Sequence, residues 1–368
     1  MATLGRIRRA LSGHGRLVTA CLLASAFLGV LLPLHFSMAY KEVSGRNRAQ
    51  LEMLARRADV RPEGFSFAVL GESADSRRVF EGILRNLGGD DTAFCLHLGD
   101  GVHAGDITSY AYFLKQLDLA GRKPLLMVPG PDELEGGGRE VFREVFGETY
   151  YSFQAGDCFL AVLDDRGGEG PDPEQVAWLR GEMERAQDRS CRLVFMHHPL
   201  FDPEGAESGS ALRDQDLARE LLALFEENGV DMVFASHAPG YYQGSWGGVR
   251  YAVTGGAGRS IEQRDDRHRF YNYLKVTVSG SKVDVEVVKT PGPSSEGWDH
   301  AAFLWSLHAY GFFAIWFWWD MALLAAGVLL VFAAHDAFRR ARARRRVAPE
   351  AGASGDVLQH YNGGLKDG

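Results

Sequence analysis

Cysteine is scarce in this chain, with four among 368 residues, and no pair of them has the spacing of a zinc knuckle. Cys21 lies in an apolar run, while Cys95, Cys158 and Cys191 sit in apolar, strand-like segments. An odd three outside the run points to buried thiols rather than a disulfide framework, with room for one bridge. Basic residues are few through the middle of the chain. Residues 1–58 and 336–368 hold sixteen of the 40 Lys/Arg and six of the 48 Asp/Glu, which leaves 24 and 42 between them, a net of −18. Such a segment has no basic patch to neutralise phosphates, which excludes nucleic acid as the main partner. No internal repeat is present. The run Gly255-Gly256-Ala257-Gly258 lacks the Lys-Ser/Thr of a nucleotide loop, so it reads as a turn with close backbone approach.

Two long apolar runs are present. Residues 17–39 carry no charge and follow Arg6, Arg8, Arg9 and Arg16. At about 1.5 Å per residue a helix there reaches roughly 34 Å, enough to span a bilayer. Ser37-Met38-Ala39 has the form of a signal-peptidase site, so a cleaved signal is the alternative to an anchor. The second run, 301–334, is broken only by His308 and Asp320, and Arg339–Arg346 follows it. Its tryptophan-rich first half suits a membrane interface and Phe312–Phe332 a span, with His308 and Asp320 interfacial. Arginines beyond both runs predict two cytoplasmic ends and an outward-facing domain between them. The expected organisation is a basic N-terminus (1–16), a transmembrane helix or signal anchor (17–39) and a juxtamembrane linker (40–63). A domain (64–290), an interfacial and transmembrane segment (301–338) and a basic, then disordered tail (339–368) follow.

Within the domain, hydrophobic period predicts strands at Phe65–Leu70, Ala93–Leu98, Pro124–Val128, Arg192–Met196 and Met232–Ala235. Helices are predicted at Ser76–Leu87, Ser109–Leu119, Arg139–Phe146, Pro173–Ala186 and Leu212–Glu227. A hairpin joins Tyr150–Phe153 to Cys158–Leu163 through Gly156-Asp157, and strands at Val249–Thr254, Tyr271–Val278 and Lys282–Val288 close the domain. Alternation followed by hairpins indicates an α/β fold of two packed mixed sheets flanked by helices. Several strands end on candidate ligands: Glu72, Asp100 with His103, Asp132, His197-His198, and His237. Ligands collect at that edge of open α/β sheets. Asp75, Asp106 and Glu133 lie on the same loops and read as solvated carboxylates.

The phrases Leu98-Gly99-Asp100, Tyr150-Tyr151-Ser152-Phe153, Gln175-Val176-Ala177-Trp178-Leu179, Met196-His197-His198-Pro199-Leu200 and Tyr251-Ala252-Val253-Thr254-Gly255-Gly256, in this order, resemble the calcineurin-like metallophosphoesterases, particularly their purple-acid-phosphatase-like branch. The resemblance implies a four-layer α/β/β/α sandwich and a centre of two metal ions that generates hydroxide and clamps phosphate oxygens. By position it makes Asp100 the bridging carboxylate, His197 a second-site ligand and His237 the first histidine of the last motif. This chain departs from the pattern. Glu72 replaces an aspartate and Ala74 its paired histidine, Pro131 and Asp132 stand for an asparagine and the catalytic histidine, and Pro239 replaces the last histidine.

Repair of the lost positions is chemically reasonable. Glu72, Asp100 and His103 would hold one ion, and Asp100, Asp132, His197 and His237 another, one or two of Mn, Fe or Zn. His198, contacting the substrate phosphate, and Asp132, at the catalytic histidine's position, are the catalytic candidates. The expectation is a membrane-anchored phosphoesterase acting on a small phosphoester or a phosphoprotein. The alternative is a catalytically inactive relative that serves as a binding or scaffold module for a protein partner.

Overall fold

The structure is a computed structural model that describes residues 45–314, apart from 75, 122, 206, 207, 263 and 266, together with 321, 322 and 325. Two units separate in the chain, His35–Gly311, which holds both sheets, and a second made of Met1–Leu34 and Phe312–Gly368. The expected span at 17–39 and nearly all of that at Phe312–Phe332, with Asp320, lie outside the described residues. Among the described residues no helix is long and apolar enough to cross a membrane.

Among the described residues ten strands form two five-stranded sheets. The first has the order β10-β9-β1-β2-β3, from β1 (Phe65–Leu70), β2 (Cys95–His97), β3 (Leu125–Met127), β9 (Asn272–Ser279) and β10 (Lys282–Lys289). The second has the order β4-β5-β6-β7-β8, from β4 (Tyr151–Ala155), β5 (Cys158–Val162), β6 (Cys191–Phe195), β7 (Met232–Trp246) and β8 (Val249–Gly255). In each sheet three adjacent strands run parallel, β1-β2-β3 at one side of the first and β5-β6-β7 at the centre of the second, and the remaining strands pair antiparallel, so both sheets are mixed.

Strand period decides which side chains meet between the sheets. Phe67 and Val69 of β1 point inward with Leu160, Phe195 and Phe234 of the second sheet. Phe67 stacks on Phe94 at 4.9 Å and meets the edge of Phe195 at 6.1 Å. The alternate residues Ala68 and Leu70 face outward, under α2 (Arg78–Gly89), α3 (Ile107–Leu117) and α5 (Gly138–Val145). On the other side Val194 and Val233 face α6 (Pro173–Arg185) and α7 (Gln215–Glu227). The result is the expected pair of packed mixed sheets flanked by helices. Two shorter helices are α1 (Arg46–Leu54) and α4 (Pro131–Leu134).

Two expectations need correction. Cys158 and Cys191 are not free thiols: they are register partners on the parallel pair β5–β6 and form a buried disulfide, Cα–Cα 4.5 Å. Among the described residues Cys95 alone is a buried free thiol, and burial pushes it up to about 12. The strand expected to stop at Ala235 continues to Trp246, because shifts of register between Ala235 and Gly240 carry the β7–β8 ladder past His237 and Pro239.

The last described helix of this unit is α8 (Glu296–Ala314). Phe303 and Leu307 bury against Tyr112 of α3, while Trp298 and Trp305 are 79% and 76% exposed. His308 is exposed on the same helix. The first turn of α8 grips the domain. Asp299 accepts from Ser76 Oγ and from the Arg78 N–H at the start of α2, both at 2.8 Å, and Glu296 accepts from Tyr271 and Ser260.

Candidate metal centre

The carboxyl ends of β1, β2, β3 and β6 converge with the irregular stretch of β7 around His237, and the loops there are bonded to one another. The N–H of Glu72 donates to Gly99 O (3.2 Å), and those of Ser73 and Ala74 donate to Asp100 O (3.1 and 3.0 Å). Glycine is required at Gly99, where φ is 92° and a Cβ would lie 2.6 Å from Gly130 N and 2.7 Å from His197 Nδ1. Glu72, Asp100 and His237 take φ of 60°, 53° and 61° despite their side chains. Left-handed backbone costs roughly 1–2 kcal/mol per non-glycine residue, and such strain clusters at functional sites.

Four side chains meet there. Ligand atoms of Glu72, Asp100, His197 and His237 all lie within 4.8 Å of one another. His197 is fully buried, and its Nδ1 donates to Leu98 O at 2.7 Å. A carbonyl can only accept, so Nε2 carries the lone pair and faces the cluster. Burial, then the charges of His198 and His237, hold His197 well below the usual histidine range, so it is neutral. Its Nε2 lies 3.2 Å from His237 Nδ1, 3.4 Å from Glu72 Oε1 and 3.7 Å from Asp100 Oδ2. His237 Nδ1 lies 3.8 Å from the same Glu72 oxygen, and burial lowers His237 to about 4. Glu72 Oε1 is buried with no hydrogen-bond partner. Burial, then the Asp100 charge, push Glu72 well above the carboxylate range, against the pull of Arg259.

This donor set fits one divalent ion. Bonds of about 2.1 Å in a tetrahedron put ligand atoms about 3.4 Å apart, close to the separations above. Two neutral imidazoles with two carboxylates suit Zn, Fe or Mn, and the Nδ1–H···O=C bond is the usual way a ligating histidine is oriented.

Three further groups set the electrostatics, and none was legible as such in the sequence. Arg259 enters from the turn after β8: its Nε lies 2.7 Å from Glu72 Oε2, its Nη2 lies 3.4 Å from Asp100 Oδ2, and Nη2 also pairs with Asp132 Oδ2. Glu133 is fully buried rather than solvated, and its carboxylate accepts the N–H groups of Asp100, Gly101, Val102 and Gly130 at 2.7–3.1 Å. It therefore holds the backbone that presents Asp100. Asp165 accepts from His198 N and lies 3.2 Å from His198 Nδ1. Burial raises Asp165, but the charge and hydrogen bonds of His198 outweigh it and hold the carboxyl at about 2.

The other expected site residues fall as follows. His198 lies against His237 with ring centres 4.1 Å apart and planes tilted by 37°, and His197, His198 and His237 form a second close group. Asp132 donates its N–H to Asp100 Oδ1 (3.0 Å), but its carboxylate goes to Arg259 instead of joining the histidines. His103 is not brought to Glu72 and Asp100. Its ring packs against Phe303 and His300 of α8, at 5.7 and 6.5 Å, because the loop after Asp100 turns toward that helix. Asp106 caps α3, accepting from the N–H groups of Thr108 and Ser109, and Asp75 lies outside the described residues. The glycine turn makes the expected close approach: a Cβ on Gly256 would lie 2.2 Å from Asn272 Nδ2.

The family model of the calcineurin-like phosphoesterases matches residues 65–241, which is what this part of the chain is similar to. Among solved structures, a purple acid phosphatase from yellow lupin (Lupinus luteus) seeds is 16% identical with a TM-score of 0.49, over 61% of this chain and 51% of the phosphatase. The chain thus spans about half the length of that protein. GAP50, the anchor in the inner membrane complex of Plasmodium, is 14% identical with a TM-score of 0.48, over 66% of this chain and 95% of that one. A dimetal phosphatase from Danio rerio is 12% identical with a TM-score of 0.49, over 62% and 98%. No curated protein matches the chain.

Proposed function

We propose that this chain is a membrane-anchored, metal-dependent phosphoesterase that holds one divalent ion, Mn, Fe or Zn, on Glu72, Asp100, His197 and His237. The observation that carries the reading is the orphaned, buried Glu72 Oε1 facing two imidazoles and a second carboxylate. Arg259 lies on the other oxygen of this carboxylate, and an unpartnered buried Oε1 is costly unless a further group, such as a metal ion shared with the imidazoles, satisfies it. A bound ion supplies hydroxide near neutral pH and a Lewis acid for the phosphoryl oxygen. The chain's own residues supply the rest. Glu133 and the left-handed turn fix Asp100, and Leu98 O fixes the His197 tautomer. Asp165 holds His198 Nδ1, which makes His198 the group that binds a phosphate oxygen and carries a proton, since Asp132 is occupied by Arg259. The substrate is a small phosphoester or a phosphoprotein.

Placement outside the cytoplasm is part of the proposal. The Cys158–Cys191 bridge supports it, since disulfides persist in oxidising compartments. The arginine-flanked apolar runs and the exposed Trp298 and Trp305 support anchoring. A second reading, an inactive scaffold module, is favoured by Arg259 pairing with three carboxylates at the centre. The full chain, purified in detergent without chelator, separates the two. About one ion per chain and aryl-phosphate hydrolysis that vanishes in Asp100→Ala are expected of the enzyme. Metal far below one ion per chain, or hydrolysis indifferent to Asp100→Ala, would leave the scaffold reading.

A further inference from the structure

Arg259 is delivered to the centre by backbone as well as by charge. Its N–H donates to Glu72 O at 2.8 Å, and that of Ala257 donates to Gly71 O at 3.0 Å, so the turn after β8 runs alongside the loop after β1. The two loops meet without room for side chains at the glycines. A Cβ on Gly258, where φ is 152°, would lie 2.6 Å from Ser76 Cβ on the loop after β1, and one on Gly255, at the end of β8, would lie 2.2 Å from Ala238 O of β7. The guanidinium then reaches Glu72, Asp100 and Asp132 together. Ala74 and Pro239, which stand where the family pattern has histidines, offer no donor atom at all.

We propose that Arg259 is a resident cation that takes the place of one of the family's two metal ions, so that this centre accepts a single divalent ion. The proposal rests on reading the cluster as the family's metal centre. Charge supports it. Glu72, Asp100 and Asp132 sum to −3 when ionised, and Glu133 is turned away onto four backbone N–H groups. One guanidinium and one divalent ion bring that sum to zero. Two divalent ions beside the arginine would leave an excess of +2 in a half-buried site, where like charges a few ångströms apart repel by several kcal/mol at an effective dielectric near 20. The division of labour is also geometric. Arg259 takes Glu72 Oε2, while Oε1 of the same carboxylate faces His197 and His237. Arginine cannot be deprotonated in proteins, so this positive charge is permanent and no chelator removes it.

The test is metal stoichiometry and affinity, read by elemental analysis and calorimetric titration of the full chain with Mn²⁺. Wild type and Arg259→Lys should saturate at one ion per chain. Arg259→Met, which keeps apolar bulk and drops the charge, should take a second ion or bind the first at least about tenfold more tightly. Wild type that takes two ions overturns the proposal, and this measurement needs no variant to fold. Arg259→Met that matches wild type in both number and affinity overturns it too. Wild type without metal but Arg259→Met with one ion would sustain the arginine's role and refute the native metal site. No binding to either protein would refute both.

Discussion

Truncating Glu133, which lies off the metal cluster, should loosen the whole centre. Its carboxylate accepts N–H groups from Asp100, Gly101 and Gly130 at 2.7–2.8 Å and from Val102 at 3.1 Å, with no solvent to replace them. Leaving a buried donor unsatisfied costs about 1 kcal/mol or more, so Glu133→Ala should lose about 4 kcal/mol. Glu133→Gln keeps the shape but turns an amide toward two of the four donors, so about half that loss is expected. For a unit of this size 1 kcal/mol moves the melting temperature by about 2–4 °C, and the alanine variant should melt roughly 10 °C lower. Thermal unfolding of the detergent-solubilised chain measures this, with metal affinity falling in parallel as Asp100 loses its backbone support. A solvated loop carboxylate would behave differently, with changes within about 0.5 kcal/mol. If Glu133→Ala melts within about 2 °C of wild type, Glu133 does not hold the Asp100 turn.

Two further predictions concern other parts of the fold. Asp165 is held at about 2 against an ordinary value of 3.8, so it contributes about 2 kcal/mol above pH 4, lost as pH falls through 2. Asp165→Asn should be less stable near neutral pH and should lack that acid-limb loss, and an unchanged acid limb in unfolding curves would contradict the pairing with His198. The Cys158–Cys191 bridge closes a separation of 33 residues, for which the chain-entropy relation gives about 3–4 kcal/mol. The double serine variant should lose that amount in equilibrium unfolding, and full alkylation of the denatured wild type without reductant would show that the bridge does not form.

Much of the fold was readable because strand period is local. Phe65, Phe67 and Val69 alternate with Ala68 and Leu70, and that alternation alone assigns them to the inner and outer faces. Glu72, Asp100, His197 and His237 were readable for a related reason: each follows an apolar run, and strand ends converge. What stayed hidden depends on distance in the chain. Arg259 lies 187 positions after Glu72 and reaches it by a long side chain from a glycine turn, which no spacing announces. A basic residue directly after that turn was the available signal. The bridge needed the β5–β6 register, and Asp165 needed the loop that brings it under His198. His103 was misplaced because position in a motif fixes a backbone site but not which way the loop turns. Glu133 looked solvated because four backbone donors leave no trace in a sequence.

The grip of α8 has a mechanical consequence. Glu296 holds Ser260, the neighbour of Arg259, and Asp299 holds Ser76, on the loop that carries Glu72. One helical turn therefore works as a tie bar across the two strands of loop whose side chains meet at the guanidinium. Withdrawing α8 would remove both bonds at once, so a force on this helix reaches both of the loops that carry Arg259 and Glu72.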